Sequence, residues 1–245
     1  SGTSTVRWIA YGLQVQNMPK TELSREGFEL VRELLQRGSL EGLKMVTDRP
    51  LEAISQCLRS VVASPPGHDL ISGDFSSIEA RGVAWLAEQN DVIDRFHEGA
   101  DIYTYTARSI GSDNRQLGKV CTLALGFGMG PLKFHVEAAK YGITLELKEA
   151  KRIQKLWRSN NHKIVEFWDD LENACRGAIL DMGVGSHTTR RVGRLAMWCK
   201  KECLFIRLPS GRTLRYWRPS VKFTTRDIKT VDDEGNIVET KMTSH

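Results

Sequence analysis

The chain has 245 residues, 40% hydrophobic and 27% charged, with a formal net charge of +5 and a pI near 9.0. These are the proportions of an ordinary globular protein with one large domain or two small ones. No apolar run approaches the ~20 residues of a membrane span and no signal peptide is visible, so the numbers point away from a membrane protein, and the basic excess permits nucleic-acid binding without establishing it.

The five cysteines, Cys57, Cys121, Cys175, Cys199 and Cys203, contain no Cys-x-x-Cys pair and read as buried or idle thiols of a reducing, cytoplasmic compartment. The chain opens without Met and stops abruptly at Thr243-Ser244-His245, which reads as a fragment. Residues 1–20 mix Gly, Ser and Thr with Arg7 and run on through Gln14-Val15-Gln16-Asn17-Met18-Pro19, a polar loop with a short strand. A helix is expected over 24–37, with Leu30, Val31, Leu34 and Leu35 inward and Gly38 as its stop. Leu40, Leu43 and Val46 mark a second helix. A third starts at Asp48-Arg49-Pro50 and turns Leu51, Ile54, Leu58 and Val61 to one face. Ser64-Pro65-Pro66-Gly67 is a turn.

Leu70 and Ile71 then read as the end of a buried strand, with Asp74 at its tip and a helix beginning at Ser76. A carboxylate held there suits a hard cation set against a phosphate, although such an Asp often only caps the next helix. Glu79 likewise has two readings, because Ser76-Ser77-Ile78-Glu79 has the spacing of a capping box. Further on, Ser112-Asp113 can cap a helix carrying Arg115 and Lys119 four residues apart. Leu123 and Phe127 continue that row over ~18 Å at ~1.5 Å per residue. Gly126, Gly128 and Gly130 end this helix and lack the Gly-x-Gly-x-x-Gly spacing of a dinucleotide loop. Residues 148–182 are helical, with Arg152, Lys155, Arg158 and Lys163 on a solvated face. Residues 188–194 form a basic loop, and hairpins are expected over 204–216 and 231–238.

Two of these stretches carry a family resemblance. Asp74-Phe75-Ser76-Ser77-Ile78-Glu79-Ala80-Arg81 resembles the Asp-Tyr-Ser-Gln-Ile-Glu-Leu-Arg signature of the family A, or DNA polymerase I type, polymerases. Arg115-x-x-x-Lys119 with Phe127-Gly128 resembles that family's Arg-x-x-x-Lys-x-x-x-Phe-Gly-x-x-Tyr-Gly fingers helix. The motifs stand in the family's order about forty residues apart, and the Gly-Phe-Gly-Met-Gly run is similar to the phage branch. Phe96-His97-Glu98-Gly99-Ala100-Asp101-Ile102-Tyr103 resembles a third segment, Phe-x-x-Gly-x-Asp-Ile-His, with Tyr103 in place of His.

The resemblance implies an α+β fold, a polymerase palm of antiparallel sheet and helices with a mainly helical fingers domain inserted. Residues 1–87 would be the first part of the palm, 88–204 the fingers and 205–245 a return to the palm. It implies DNA synthesis by transfer of deoxynucleotides to a primer 3′-hydroxyl, in a monomer of a phage-infected or lysogenic bacterial cell. Asp74 and the Phe75 carbonyl would hold Mg²⁺. Glu79, Tyr103, Arg115, Lys119, Leu123 and Phe127 would face the nucleotide. Arg7, Gln16 and Asn17 would touch primer–template DNA. Leu123 departs from the family's aromatic and Phe127 from its Tyr. The family's second metal-binding turn, His-Asp-Glu, is absent, and Asp232-Asp233-Glu234 sits in a polar turn that makes a poor substitute. Two rival readings stand beside this one: a non-catalytic DNA- or nucleotide-binding module, and a metal-dependent nuclease using Asp74 and Glu79.

Overall fold

The computed structural model describes residues 14–71, 73–185, 188–222 and 224–244, with backbone alone at 16, 224–228 and 240–244. It divides into two compact units, Ser1–Asp74 and Phe75–His245.

The first unit is three short helices, α1 (Arg25–Gln36), α2 (Leu40–Val46) and α3 (Pro50–Gln56). Ser24 and Ser39 cap the first two by accepting from Gly27 N and Gly42 N, and Pro50 opens the third. Val31, Leu43, Ala53 and Cys57 form its core. That face differs from the one expected for α3. Leu51 is 81% exposed and Val61 71%, whereas Ala53 and Cys57 are buried. The helix stops at Gln56 and a 3₁₀ turn follows, so the row of Leu and Val never lies along one α-helical face. Gln56 Oε1 accepts from Glu22 N and Leu23 N, and Arg59 donates twice to Met18 O, binding the 14–23 segment to the end of α3.

The expected strand before Asp74 does not form. Residues 68–71 carry no regular structure and Ile71 is 96% exposed. A strand needs a partner for its backbone, and the strands among the described residues pair only with one another, all of them after residue 189.

The second unit is built on helices α4 (Ile78–Ala87), α5 (Asn90–His97), α6 (Ile102–Ser109), α7 (Arg115–Val120), α8 (Pro131–Lys140), α9 (Leu147–Asn160) and α10 (His162–Gly183). An antiparallel meander follows, β1 (Arg190–Val192), β2 (Leu195–Lys200), β3 (Cys203–Arg207) and β4 (Thr213–Trp217). Leu195, Met197 and Cys199, alternate residues of β2, enter the same core as Phe167, Ala174 and Ala178 of α10. A separate hairpin pairs β5 (Thr224–Val231) with β6 (Ile237–Ser244). The fold is therefore α+β, as expected, with ten α-helices and a small antiparallel sheet among the described residues. Both predicted hairpins form, and part of the predicted basic loop is strand β1, where Arg190 forks onto Asp181. The stretch 148–182 is helical, as expected, in two helices, because Asn161 leaves helical geometry and its amide donates to Trp157 O.

One close approach sets the position of α7. A Cβ on Gly118 would lie 1.9 Å from Tyr103 O and 2.8 Å from Ala107 N. Only glycine lets the backbones of α6 and α7 come this near.

Candidate active site

The helix that begins at Arg115 is capped by Asn114, whose Oδ1 accepts from Gln116 N and Leu117 N. The cap expected from Ser112-Asp113 lies one residue later. After Val120 the backbone widens to a π-helical turn, Cys121–Leu125. Thr122 sits at the transition, its hydroxyl donating to Gly118 O at 2.9 Å and lying 3.1 Å from the Thr106 hydroxyl. Such a bond to the preceding turn bends a helix, and π turns concentrate at functional positions. Gly126, Phe127 and Gly128 then form a turn, with Gly128 at φ +74°. The continuous helical stripe of four side chains expected from the spacing is thus broken. Arg115 and Lys119 share α7, Leu123 lies in the π turn, and Phe127 stands on the turn beyond it, 69% exposed.

This bend opens a cleft of about 600 Å³. Glu79, Ala80 and Val83 of α4 line one side, and Thr122, Leu123 and Phe127 another. Val165, Trp168, Asp169 and Glu172 of α10 close it, with Arg158 at the end of α9. Three expected nucleotide residues, Glu79, Leu123 and Phe127, are brought together. The α9–α10 wall was not legible as part of a site. Its clearest signal was the pair of tryptophans, Trp157 and Trp168, which stack with centroids 6.1 Å apart beneath the cleft.

The other three expected residues lie on α6 and α7. Arg115 donates from Nε and Nη2 to the two oxygens of Asp101, at 2.5 and 3.3 Å. Its guanidinium stands 5.2 Å from the centre of the Tyr103 ring. The Tyr103 hydroxyl accepts from Ser77 Oγ at 3.3 Å. Asp101 caps α6 and also accepts from Tyr103 N and Thr104 Oγ1. Hydrogen bonding to Arg115, with these further bonds, holds its carboxyl below the usual carboxylate range. Lys119, half-buried, makes no hydrogen bond or ion pair with the described residues. The arrangement presents a fixed guanidinium and an uncommitted ammonium on one short helix, suited to a polyanion.

Glu79 lies in the first turn of α4. The N-cap falls on Ser77 rather than Ser76, in the left-handed region at φ 53° and without a side-chain capping bond, since its hydroxyl goes to Tyr103. The helix start therefore differs from the capping box read from the spacing.

Asp74 ends the first unit and is exposed, and Phe75 opens the second, 79% exposed. Among the described residues no three or more His, Cys, Asp or Glu side chains gather as metal ligands. One carboxylate and one carbonyl can serve a Mg²⁺ that draws its other ligands from phosphate and water, but they do not make up a two-ion centre. Asp232 is taken up by Asn236 and Glu234 N, and Asp233 by Lys155 and Lys151, at 2.7 and 2.9 Å. Both carboxylates are thus engaged at the β5–β6 turn, Asp232 within it and Asp233 against α9. Of the expected DNA contacts, Arg7 lies outside the described residues, as does the Gln16 side chain, and Asn17 donates its amide to Gln14 at 2.5 Å.

No helix among the described residues is long and apolar enough to cross a membrane. The family model for DNA polymerase family A matches residues 43–191, more than half of the chain. The DNA polymerase of Bacillus phage SP02 is 32% identical over 234 residues, 91% of this chain and 35% of that protein. DNA polymerase I of Aquifex aeolicus (strain VF5) is 28% identical over 148 residues, 56% of this chain and 25% of that protein. The chain thus spans about a third of the first relative's length and a quarter of the second's. With both motifs, their order and a phage relative in agreement, the chain belongs to DNA polymerase family A.

Proposed function

We propose that this chain contributes the nucleotide-binding surface and one catalytic carboxylate of a template-directed DNA polymerase. Residues 1–87 act as the first part of the palm, 88–204 as fingers and 205–245 as a return to the palm. The observation that carries the reading is the pairing on α7 of a held guanidinium, Arg115, with an unengaged ammonium, Lys119, beside the cleft of Glu79, Leu123 and Phe127. A deoxynucleoside triphosphate matches both halves. Its phosphates meet the cations and its sugar meets the cleft.

In the reaction the primer 3′-hydroxyl attacks the α-phosphorus and pyrophosphate leaves. Arg115 and Lys119 neutralise charge on the triphosphate and orient it, and electrostatic positioning of this kind is most of what an enzyme supplies to phosphoryl transfer. Mg²⁺ is the ion the family implies, and Asp74 is the carboxylate this chain would offer it. Glu79, which lines the cleft together with Phe127, takes the space a ribose 2′-hydroxyl needs. Gln16 and Asn17 meet the minor groove of the primer–template, where acceptors common to every correct base pair allow contact without sequence preference.

The test is primer extension with competing ribonucleotides and deoxynucleotides. Glu79→Ala is expected to raise ribonucleotide incorporation relative to deoxynucleotide. Unchanged discrimination, with stability lowered by ~1 kcal/mol, would instead leave Glu79 a purely structural role as an acidic residue in the first turn of α4.

A further inference from the structure

Asp101 gathers four hydrogen bonds at the junction of α6 and α7. Its two oxygens receive the Arg115 fork, Tyr103 N at 3.1 Å and Thr104 Oγ1 at 2.8 Å. As the N-cap of α6 its position is set by backbone. The Tyr103 ring lies against the same guanidinium. Arg115 is therefore held along one edge and over one face, which a flexible arginine on a short exposed helix does not achieve alone.

Packing does not require this ion pair. The approach of α6 to α7 is already set by backbone contact at Gly118. The two side chains are 58% and 40% exposed, and exposed pairs add little to stability. Arginine has five N–H donors. The fork to Asp101 occupies Nε and one hydrogen of Nη2, so Nη1 and the second Nη2 hydrogen stay available for an anion. The carboxylate also offsets the charge of Arg115, while Lys119 keeps its own.

We infer that Asp101 is a positioning residue for triphosphate binding, acting through Arg115: it fixes the guanidinium so that the donors left over meet the phosphates in one orientation. The inference rests on the reading of Arg115 as a triphosphate contact.

Asp101→Asn is the informative substitution, because Asn caps a helix as well as Asp but cannot serve as an anionic fork. Binding of dATP and of deoxyadenosine to the chain is measured by equilibrium dialysis for wild type, Asp101→Asn, Arg115→Ala and the double variant, with thermal melting alongside. Asp101→Asn is expected to weaken dATP binding about fivefold to tenfold, to leave deoxyadenosine binding and the melting temperature unchanged, and to add less than about twofold in the Arg115→Ala background. A silent or tighter-binding Asp101→Asn, or an equal loss in the Arg115→Ala background, overturns the inference while Arg115 keeps its role. If wild type binds no dATP, or Arg115→Ala binds it as wild type does, the reading of Arg115 fails and the inference fails with it.

Discussion

The two units differ in how much of their chemistry the fold has finished. The first buries four hydrophobic residues in its core, Val31, Leu43, Ala53 and Cys57, and leaves Met45, Leu51, Val61 and Ile71 more than 70% exposed. The second assembles a core of twenty buried residues from α4, α7, α8, α9 and α10, the π turn, strands β2 and β3, and Ile110 after α6. On that core it holds a shaped cleft, a forked ion pair and an uncommitted lysine. Asp74, the carboxylate proposed for the reaction, ends the first unit on an unstructured, exposed stretch. The cleft and the forked ion pair thus both lie within one unit, on elements anchored in its core. The proposed catalytic carboxylate has no such frame among the described residues.

Asp74→Asn separates the units most sharply. In the protein that carries this chain, primer extension should fall by about 10²–10³-fold or more, while dATP binding, proposed for the second unit, should stay within about twofold of wild type. An equal loss of both would mean that Asp74 supports the second unit's site.

Next in size is the α6–α7 contact. Gly118→Ala places a methyl against Tyr103 O and should cost about 1–3 kcal/mol, at the upper end because backbone cannot give way as a side chain does. Denaturant unfolding followed by tryptophan fluorescence reports this well. All six tryptophans except Trp8 belong to the second unit, so a loss confined to that signal is expected.

Lys119→Ala should weaken dATP binding about tenfold, equivalent to 1.4 kcal/mol, with the larger share of the loss at low salt. An unchanged affinity would leave Arg115 as the sole phosphate contact on α7. A smaller gain is expected from Leu123→Phe, where a ring gives the nucleotide sugar more apolar support. Single-turnover incorporation should be a few-fold faster or the nucleotide more tightly bound, about 0.5–1.5 kcal/mol in all.

The smallest effect tests the edge of the second unit, where the β5–β6 turn meets α9. Asp233 bonds to Lys155 and Lys151, which lower its carboxyl from the ordinary 3.8 to about 2. A carboxyl depressed in this way stabilises the docked turn above pH ~4, and the contribution is lost as the pH falls toward 2. The Lys155 and Lys151 side-chain NMR signals, from the two partners of Asp233, should therefore move to their free positions across that window in wild type. Asp233→Asn should show them free throughout, while the α4 and α10 amides hold steady.

Local signals carried the helices well. Ser24, Ser39 and Pro50 start them where capping chemistry says, and Gly38 follows the first. Where two features competed locally the reading slipped by a residue, as with Asn114 over Asp113 and Ser77 over Ser76. Leu51 misleads because a helical face of Leu and Val would have to continue past Gln56, where the chain turns into 3₁₀ geometry. The strand expected at Leu70-Ile71 misled for a different reason. Hydrophobic residues favour a strand, but only a neighbouring strand completes one.

From sequence alone came the family, the positions of Asp74, Glu79, Arg115 and Lys119, the α+β class and the two hairpins, because motif wording and short-range periodicity are local properties. The tertiary structure decided what those residues meet. It bent the helix after Val120, set Phe127 on a turn, drew Trp168 and Arg158 to the cleft and gave Arg115 to Asp101. None of these follows from spacing. Each depends on how near α6, α7 and α10 approach one another, and that distance is set by side-chain volume across the core and by the missing Cβ of Gly118.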